Sequence, residues 1–580
     1  MNASTPVQAS CTNLDVTSGI FSQNSSTTHV DTKSTNSPKP GNEEVKLTDQ
    51  ANFLPTQKVL ICFIGLSLCI LVTQLDTVVT ATSLSTISAA FNAGSIASWV
   101  PTAYLLTSTS FSPLYGRLSD IFGRKIILTV ALVVLMVGNL AAGFSTTIVQ
   151  VIVSRGVAGA GGGAIGSLAY IIISDIVTLR QRGKYQAIIA TISALGFGLG
   201  PLLGGVLAQQ AGWQWCFWFN IPITIVAVTA VNLVLPLKPV EGNVRDKLLL
   251  VDYVGCGLTL VGSTLILLPL IWGGVTFPWN SPIILGTLIG GLAICVLFVI
   301  WEWRGAKLPV LPMYIFKYST VSGIYIVGLL SGMIKFSMIF YLPQFFQAAL
   351  GYTPVRAGVL MIAFLTSNSV VNQVAVFIMS RFDRYRMLVL SGFAIWSIAC
   401  GLTSTINPHS HTGILVLYLL LLGVGSGQTI QTTTLAAQAA VPRRDMAVVT
   451  AFRNFTRMLG GTLGLPVGSA IINNTLRTSM HSLLIPERDI NLTIDNPALL
   501  HDPASLGLSP DLAKTILYDG YIKGFQRIFI LNASLAAISA ITTLFLIKDT
   551  SLSREEDEQQ LKEAVETDKC HGEGEKTSGL

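Results

Sequence analysis

Long apolar segments alternate with short polar segments along most of the chain. Each apolar segment has about 20 residues or more, the length that an α-helix needs to cross a bilayer. The pattern predicts fourteen membrane-spanning helices, at residues 57–81, 97–116, 126–145, 148–175, 184–209, 214–236, 253–272, 282–302, 319–342, 355–380, 386–406, 412–436, 444–472 and 525–547. An even number of spans places both ends of the chain on one side of the membrane.

Lysine and arginine residues are concentrated in every second connection between these spans. They are Arg117, Arg124, Lys125, Arg180, Arg182, Lys184, Lys238, Arg245, Lys247, Arg304, Lys307, Lys317, Arg381, Arg384, Arg386, Arg443 and Arg444. The short connections on the other side carry almost none, Arg356 being the exception. Because such cations mark the cytoplasmic side of a membrane protein, both termini are predicted to be cytoplasmic.

The composition indicates an integral membrane protein, with the lipid bilayer as a partner. Of 580 residues, 51% are hydrophobic and only 11% are charged, too few for a soluble globular protein. The net charge of +6 is scattered in short clusters, so we expect no nucleic-acid partner. No CxxC pair, P-loop, HExxH or GxSxG motif occurs. We therefore expect no metal site, no cofactor, no ATP binding and no enzyme.

The connection between the second and third spans reads G-R-L-S-D-I-F-G-R-K. Its glycines and charged residues are Gly116, Arg117, Asp120, Gly123, Arg124 and Lys125. A simple chain reversal needs far fewer charges. Asp120 can pair with an arginine or lie at the positive N-terminus of a neighbouring helix. Such a pair can form in one packing of two helix bundles and break in the other, which makes the turn a candidate switch.

The fifth span carries a run of glycines around a proline. These residues are Gly196, Gly200, Pro201, Gly204 and Gly205. Three of the glycines follow each other at intervals of four and so share one helix face, where they permit close contact with another helix. The proline removes a backbone hydrogen bond and tends to kink the helix.

These motifs carry a resemblance to a known family. Gly116–Lys125 resembles the loop signature of the major facilitator superfamily, G-x-L-[AS]-D-x-x-G-R-K, and Gly196–Gly205 resembles its antiporter motif, G-x-x-x-G-P-x-x-G-G. Residues 75–80, residues 155–159 and residues 212–222 are similar to motifs of its fourteen-span drug:proton antiporter branch. The resemblance covers roughly residues 50–550, and residues 380–384 are only a degraded copy of the first loop signature.

The resemblance implies an all-α major facilitator fold, with two six-helix bundles that rock around a central site and two inserted helices. The domains are then a disordered cytoplasmic N-terminal tail, an N-terminal bundle, the inserted pair with its linkers, a C-terminal bundle with an outer loop at 473–524, and a cytoplasmic C-terminal tail. They correspond to residues 1–50, 51–236, 237–318, 319–547 and 548–580. We expect the protein to act as a monomer.

Ionisable residues inside the spans are costly and are therefore candidates for function. Asp76 and Arg155 are predicted to lie at similar depth in the first and fourth spans, so the two side chains can meet. Closing or opening that contact would change the proton affinity of the carboxylate. We hypothesise that Asp76 carries a proton and that Arg155 modulates it. A permanent structural ion pair is the alternative.

Further polar residues lie deep in the second half. The candidates for a substrate cavity are Lys335, Arg453, Arg457, Gln428 and Gln431. If the cations line the cavity, its field is positive and favours an anionic or neutral substrate over a dication. The alternative is that Arg453 and Arg457 bind carbonyl oxygens and never meet a substrate. In the outer loop, Asn473 and Asn491 begin N-glycosylation sequons.

The function that these features favour is proton-coupled export of small organic molecules, such as drugs, toxins or secondary metabolites, across the plasma membrane. The substrate and protons are the expected partners. Residues 103–109, A-Y-L-L-T-S-T, are also similar to fungal vacuolar permeases for basic amino acids, so a vacuolar importer is the alternative. A sensor built on the same fold is a third. The interior cations favour the exporter.

Overall fold

The computed structural model describes residues 56–91, 93, 96, 99–235, 243–273, 277–306, 309–352, 354–382, 384–486, 489–490, 493 and 509–550. Both predicted tails, apart from residues 548–550, lie outside these ranges. Within them, fourteen helices are long, and they are named here in chain order: α1 Thr56–Thr82, α2 Trp99–Phe122, α3 Arg124–Gly143, α4 Ile148–Ile176, α5 Leu179–Gln210, α6 Asn220–Val234, α7 Tyr253–Trp272, α8 Pro282–Arg304, α9 Ser319–Gln344, α10 Pro354–Phe382, α11 Arg386–Thr403, α12 Thr412–Ala439, α13 Met446–Ser482 and α14 Lys523–Leu546.

Shorter helical segments connect some of these helices. They are Leu84–Phe91, Trp215–Trp218, Val244–Leu249, Met313–Lys317, Phe345–Ala349, Arg443–Asp445, Pro510–Ile516 and Leu517–Ile522. Apart from one isolated β-bridge between Gly273 and Phe277, the regular structure of the described residues is helical. This agrees with the all-α prediction.

Eleven of these helical segments are long and apolar enough to cross a membrane. The candidate span that contains α6 begins at Trp215 and so includes the short helix Trp215–Trp218. The one that contains α14 begins at Asp511 and so includes most of Pro510–Ile516 and all of Leu517–Ile522. The three remaining long helices, α2, α5 and α13, are more polar. They are also the helices that carry the loop signature, the antiporter glycines and the pair of deep arginines.

Two sets of six helices repeat one packing pattern. In the first set, α2 packs on α4, α3 on α4, α1 on α5, α1 on α6 and α3 on α6. In the second set, α10 packs on α12, α11 on α12, α9 on α13, α9 on α14 and α11 on α14. Helices α1 to α6 therefore correspond in order to α9 to α14. We call them the N-half and the C-half.

The two halves meet through equivalent helices. Helix α2 packs against α13, and α5 packs against α10, which relates the halves by an approximate two-fold arrangement. Helices α7 and α8 pack on each other, and α7 also contacts α2 and α13. The inserted pair thus lies beside the seam between the halves.

The segment predicted as the outer loop 473–524 is mostly not an extended loop where it is described. Helix α13 continues ten residues beyond the predicted end, to Ser482. Pro510–Ile516 and Leu517–Ile522 then lead into α14 without a break. Within this continuation, Thr475 and Thr478 donate hydrogen bonds to the carbonyls of Ile471 and Asn474, one turn earlier.

Candidate functional site

The loop signature is mostly helix. Helix α2 runs to Phe122 and α3 starts at Arg124, so Gly123 alone separates them. Its φ of 99° lies in the left-handed region that glycine occupies without strain. The sharp reversal brings the last turn of α2 against the first turn of α3, and this places the charges of the signature side by side.

Those charges form a buried ion-pair network. Nη1 of Arg124 lies 2.5 Å from Asp120, and its Nε lies 2.8 Å from Asp175 at the end of α4. Nη1 of Arg117 lies 3.6 Å from the same Asp120. Ser119 accepts a further hydrogen bond from Arg124. The sequence analysis predicted that Asp120 can pair with an arginine, and the structure pairs it with Arg124. It did not identify Asp175 as a partner of that arginine.

The other cations of the signature tie it to distant segments. Nζ of Lys125 donates to the backbone oxygens of Asn232 and Leu235 at the end of α6. Nε of Arg117 donates to the carbonyl of Pro309, in the connection that follows α8, at 2.6 Å. The signature therefore joins α2, α3, α4, α6 and the linker of the inserted pair.

We call the end of the bundle where this signature lies the basic end. The two halves contact each other there. A Cβ atom built on Gly116 would lie 2.9 Å from the Cβ of Ala451 in α13, so the helices touch at this glycine. Nη1 of Arg182 lies 3.0 Å from the sulfur of Met446, and Gln431 donates to the carbonyl of Gln186 at 3.1 Å. These contacts join the two halves.

Asp76 and Arg155 meet in the interior of the N-half. Nη1 of Arg155 lies 3.0 Å from both carboxylate oxygens of Asp76 and 2.9 Å from the side-chain oxygen of Asn139. Asp76 is completely buried and Arg155 is 1% exposed. The structure thus brings together the two residues that the sequence singled out, and it adds Asn139, which the sequence analysis missed.

Aromatic rings enclose this pair. The guanidinium carbon of Arg155 lies 4.4 Å from the centre of the Tyr104 ring and 5.7 Å from that of Phe217. Both distances suit a cation–π contact. Tyr104 also presses against α4, because a Cβ on Gly159 or Gly162 would collide with it. The glycines of α4 therefore let the ring reach the arginine.

The antiporter glycines hold α5 against α1. A Cβ on Gly196 would lie 2.7 Å from the Cβ of Gln74, and one on Gly200 would lie 2.6 Å from that of Val78. These two residues of α1 flank Asp76 in sequence. Of the rest of the motif, Pro201 and Gly205 lie within α5, and the carbonyl of Gly204 faces the thiol of Cys216 at 3.9 Å.

A central cavity of about 150 Å³ lies between the halves. It is lined by α1, α2, α4 and α5 of the N-half and by α9, α10, α12 and α13 of the C-half. Thr73, Thr77 and Tyr104 line it next to the Asp76–Arg155 pair.

Two of the five predicted cavity residues line this cavity, namely Lys335 and Arg457. The other three do not. Arg453 donates to the carbonyl of Ile430 at 2.7 Å and to the hydroxyl of Thr433. For Arg453, the alternative of a carbonyl-binding arginine is therefore correct.

The two glutamines are also held outside the cavity. Gln428 accepts a hydrogen bond from Ser391 of α11. Gln431 reaches the N-half, where it donates to Tyr170 and to the carbonyl of Gln186. Gln431 follows Ile430, which lines the cavity, but its own side chain forms part of the contact between the halves.

Polar residues missed by the sequence analysis connect the halves across the cavity wall. The amide of Asn454 donates to Ser167 at 2.8 Å and its oxygen accepts from Arg457 at 2.7 Å. Ser112 lies 3.1 Å from Ser167. The available signal was the spacing of Asn454 and Arg457, three residues apart and so on neighbouring turns of one helix face.

The two candidate glycosylation sites differ in their position. Asn473 lies inside α13, where its amide nitrogen is 3.4 Å from the hydroxyl of Ser469, so it is not a loop residue as predicted. Asn491 lies outside the described residues. The glycan prediction therefore stays untested at Asn491.

Comparison with known proteins identifies the family. The family described as the Major Facilitator Superfamily matches residues 66–465, about two thirds of the chain. Citrate exporter 1 of Yarrowia lipolytica is 31% identical over 512 residues, which cover 88% of this chain and 75% of the relative. Efflux pump dotC of Dothistroma septosporum is 32% identical over 429 residues, 74% of each chain.

Solved structures show the same fold at low sequence identity. The proton:xylose symporter XylE superposes with a TM-score of 0.55 at 13% identity, covering 87% of this chain and 99% of XylE. The human organic anion transporter MFSD10 superposes with a TM-score of 0.50 at 14% identity, covering 83% and 99%. The resemblance to the superfamily is confirmed: the chain belongs to the Major Facilitator Superfamily and is a multi-pass membrane transporter, not an enzyme.

Proposed function

We propose that this protein exports small organic molecules from the cytosol by alternating access, in exchange for protons. One observation carries the proposal. The Asp76–Arg155 pair is buried within the N-half, directly beside a cavity that lies between two halves with equivalent packing. The proposed proton site therefore lies beside the proposed substrate site, an arrangement that suits coupling. Relatives that are named efflux pumps and a citrate exporter support the direction of transport.

The proton step is assigned to Asp76. In this conformation Arg155 contacts both carboxylate oxygens of Asp76. A movement of α1 away from α4 would break this contact and leave the carboxylate oxygens available to a proton. The close packing of Gly196 and Gly200 on α1 supports this, because a movement of α5 would be transmitted directly to the helix that carries Asp76.

The loop signature is assigned as a gate at the cytoplasmic end. Asp120 and Arg124 stabilise the first turn of α3 against α2, while Gly116 and Arg117 contact the C-half and the linker after α8. In the conformation seen here these contacts are formed, and we assign them to the closed state of the gate. Breaking them would be required for substrate to enter from the cytosol.

The topology proposed is fourteen spans with both termini in the cytoplasm. Helices α2, α5 and α13 fall outside the purely apolar set, yet each is longer than the roughly 20 residues needed to cross and packs among the others. Some of their polar residues line the cavity, namely Ser108, Ser112, Ser193, Asn454 and Arg457. The lysines and arginines at the basic end indicate that this end is cytoplasmic. We propose that the protein works as a monomer.

We place the transporter in the plasma membrane rather than the vacuolar membrane. A permease for basic amino acids needs acidic groups around a cationic substrate, whereas the cavity carries Lys335 and Arg457. A sensor without transport is disfavoured, because the gate and the buried pair are both complete.

The test is transport in reconstituted vesicles. Purified protein in liposomes is given an imposed pH gradient, and the movement of a labelled organic acid, arginine and a hydrophobic dye is followed. Proton-driven accumulation of the acid or the dye supports the proposal, and a dependence on the gradient that disappears with a protonophore confirms coupling. Accumulation of arginine alone would overturn it in favour of the vacuolar importer. The location of a fluorescently tagged copy in cells shows whether the protein lies in the plasma membrane or the vacuolar membrane.

A further inference from the structure

The cavity carries two cations that the proposed proton and gate assignments do not use. Lys335 of α9 and Arg457 of α13 both line it, and none of the lining side chains in the described part of the chain is acidic. Within that part, the ammonium of Lys335 has neither a hydrogen bond nor an ion pair. Arg457 donates to Asn454, but its Nε is buried without a hydrogen-bond partner there.

We infer that Lys335 and Arg457 form a binding site for an organic anion with two or more carboxylate groups, one carboxylate facing each cation. The inference rests on the proposed transport function, and it specifies the substrate class for the same cavity.

The backbone places the two cations close together. Helices α9 and α13 approach so closely that a Cβ built on Gly332 would collide with the carbonyl of Arg457 and lie 3.1 Å from the backbone nitrogen of Gly461. Lys335 lies one turn along α9 from Gly332. A pair of like charges at this depth is unfavourable unless an anion compensates it.

Arg453 has a structural role, because its contacts join α13 to α12. It lies one turn from Arg457 on α13, it is 4% exposed, and it is held by a carbonyl and a hydroxyl of α12. Arg457 instead faces the cavity. The difference separates a cation that joins helices from a cation that is available to a ligand.

Neutral groups around the cations suit the rest of a carboxylic acid. Tyr170, Asn368 and Ser108 line the cavity with groups that can donate hydrogen bonds to carboxylate oxygens. At about 30 Å³ per water molecule, the volume of about 150 Å³ corresponds to roughly five water molecules. In this conformation the cavity therefore suits a compact acid better than a large multi-ring drug.

Binding to the full-length protein in detergent tests the inference, using four-carbon probes that differ mainly in charge. Succinate has two carboxylates, butyrate has one, succinamide is neutral and 1,4-diaminobutane is a dication. We expect succinate to have the lowest Kd and butyrate a Kd at least about tenfold higher. The neutral and cationic probes should show no saturable binding. Equal binding of succinate and succinamide, or preferential binding of the diamine, would overturn the site.

Substitutions of the two cations then test whether each binds one carboxylate of succinate. Lys335→Gln and Arg457→Gln should each raise the Kd of succinate about tenfold to a hundredfold. The Kd of butyrate should rise by a smaller factor. Lys335→Arg should restore most of the affinity, because it keeps the charge. Arg356→Gln is the matched control, since it removes one cation near the opposite end of the bundle, where Arg356 contacts Thr412 and the Tyr352 ring. Unchanged succinate affinity in folded Lys335→Gln and Arg457→Gln proteins would refute the assignment.

Failure of this site and failure of the transport function are distinguishable. Binding is measured in detergent without a pH gradient, whereas transport is measured in vesicles with one. Charge-selective binding without proton-driven flux keeps the site and rejects the coupling. Proton-driven flux of a neutral compound without charge-selective binding keeps the transporter and rejects the site.

Discussion

Arg155 holds Asp76 through a single guanidinium nitrogen, which lies 3.0 Å from both carboxylate oxygens. The strongest arginine–carboxylate pairs use two nitrogens in parallel. Here the same nitrogen also donates to the side-chain oxygen of Asn139. The Nε of Arg155 has no hydrogen-bond partner in the described part of the chain. A pair held in this way restrains Asp76 less than a forked pair would, which suits a carboxylate that binds and releases a proton during transport.

Replacing Asp76 by asparagine should abolish proton-driven transport. The amide keeps the size of the side chain but cannot take up a proton, so the imposed pH gradient should no longer drive accumulation. We expect the rate in vesicles to fall about a hundredfold or more. Retention of the wild-type rate by folded Asp76→Asn protein would contradict the assignment of Asp76 as proton carrier.

The control for this variant addresses folding. Asp76→Asn leaves the buried guanidinium of Arg155 without a counter-charge, and breaking a buried pair in this way costs about 3–5 kcal/mol. The double variant Asp76→Asn, Arg155→Gln removes both charges and should recover thermal stability. It should not recover coupling. If coupling returned together with stability, the pair would be structural and the proton carrier would lie elsewhere.

Replacing Asp120 by asparagine should stop transport without reducing the amount of protein in the membrane. The variant weakens the contact of Arg124 with the end of α2 at 2.5 Å and leaves the contact with Asp175. Loss of such a charge-assisted contact is worth about 1.5–3 kcal/mol, enough to change the populations of open and closed states more than tenfold. The measurements are initial transport rate and surface biotinylation.

The control for the gate is an ion pair of the same spacing at the opposite end of the bundle. Asp519 and Lys523 are also four residues apart, with 2.6 Å between Nζ and Oδ1, but their side chains are 43% and 50% exposed. Exposed pairs contribute little, so Asp519→Asn should transport normally. An equal loss of transport rate in both variants, or normal transport by Asp120→Asn, would show that the Asp120–Arg124 pair is not a gate.

Replacing Tyr314 by phenylalanine should lower thermal stability. Its hydroxyl donates at 2.6 Å to Asp445, which is 2% exposed, and this bond ties the segment after α8 to the start of α13. Loss of the donor should cost about 1 kcal/mol or more and lower the unfolding midpoint in detergent. Tyr318→Phe, at an exposed ring four residues later, should change it by less than about 0.5 kcal/mol. Equal midpoints for the two variants would disprove the tie.

The order of the helices and the family could be predicted from the sequence, because both depend on local patterns. Apolar runs of the right length mark the spans, and the motif Gly116–Lys125 is contiguous. The contact of Asp76 with Arg155 was also predictable, since depth in the membrane follows from counting residues along two spans. Each of these inferences needs only spacing within the chain.

Side-chain partners between distant helices could not be predicted. Asn139 contacts Arg155 only because α3 packs on α4, and nothing in its own segment indicates that contact. Arg453 and Arg457 lie on one helix and look equivalent in sequence. They differ because Arg453 faces α12 and Arg457 faces the cavity, which depends on the rotation of α13 in the packed structure.

The glycines of α5 provide a matched pair of substitutions. A Cβ on Gly200 would lie 2.6 Å from the Cβ of Val78, whereas a Cβ on Gly198 would meet nothing within 4 Å. Gly200→Ala should therefore cost about 1–3 kcal/mol and slow transport severalfold, because α5 is forced away from the helix that carries Asp76. Gly198→Ala, on the open face, should be neutral or stabilising. Thermal unfolding and initial rates in vesicles measure both, and equal behaviour of the two variants would show that the α1–α5 contact does not govern transport.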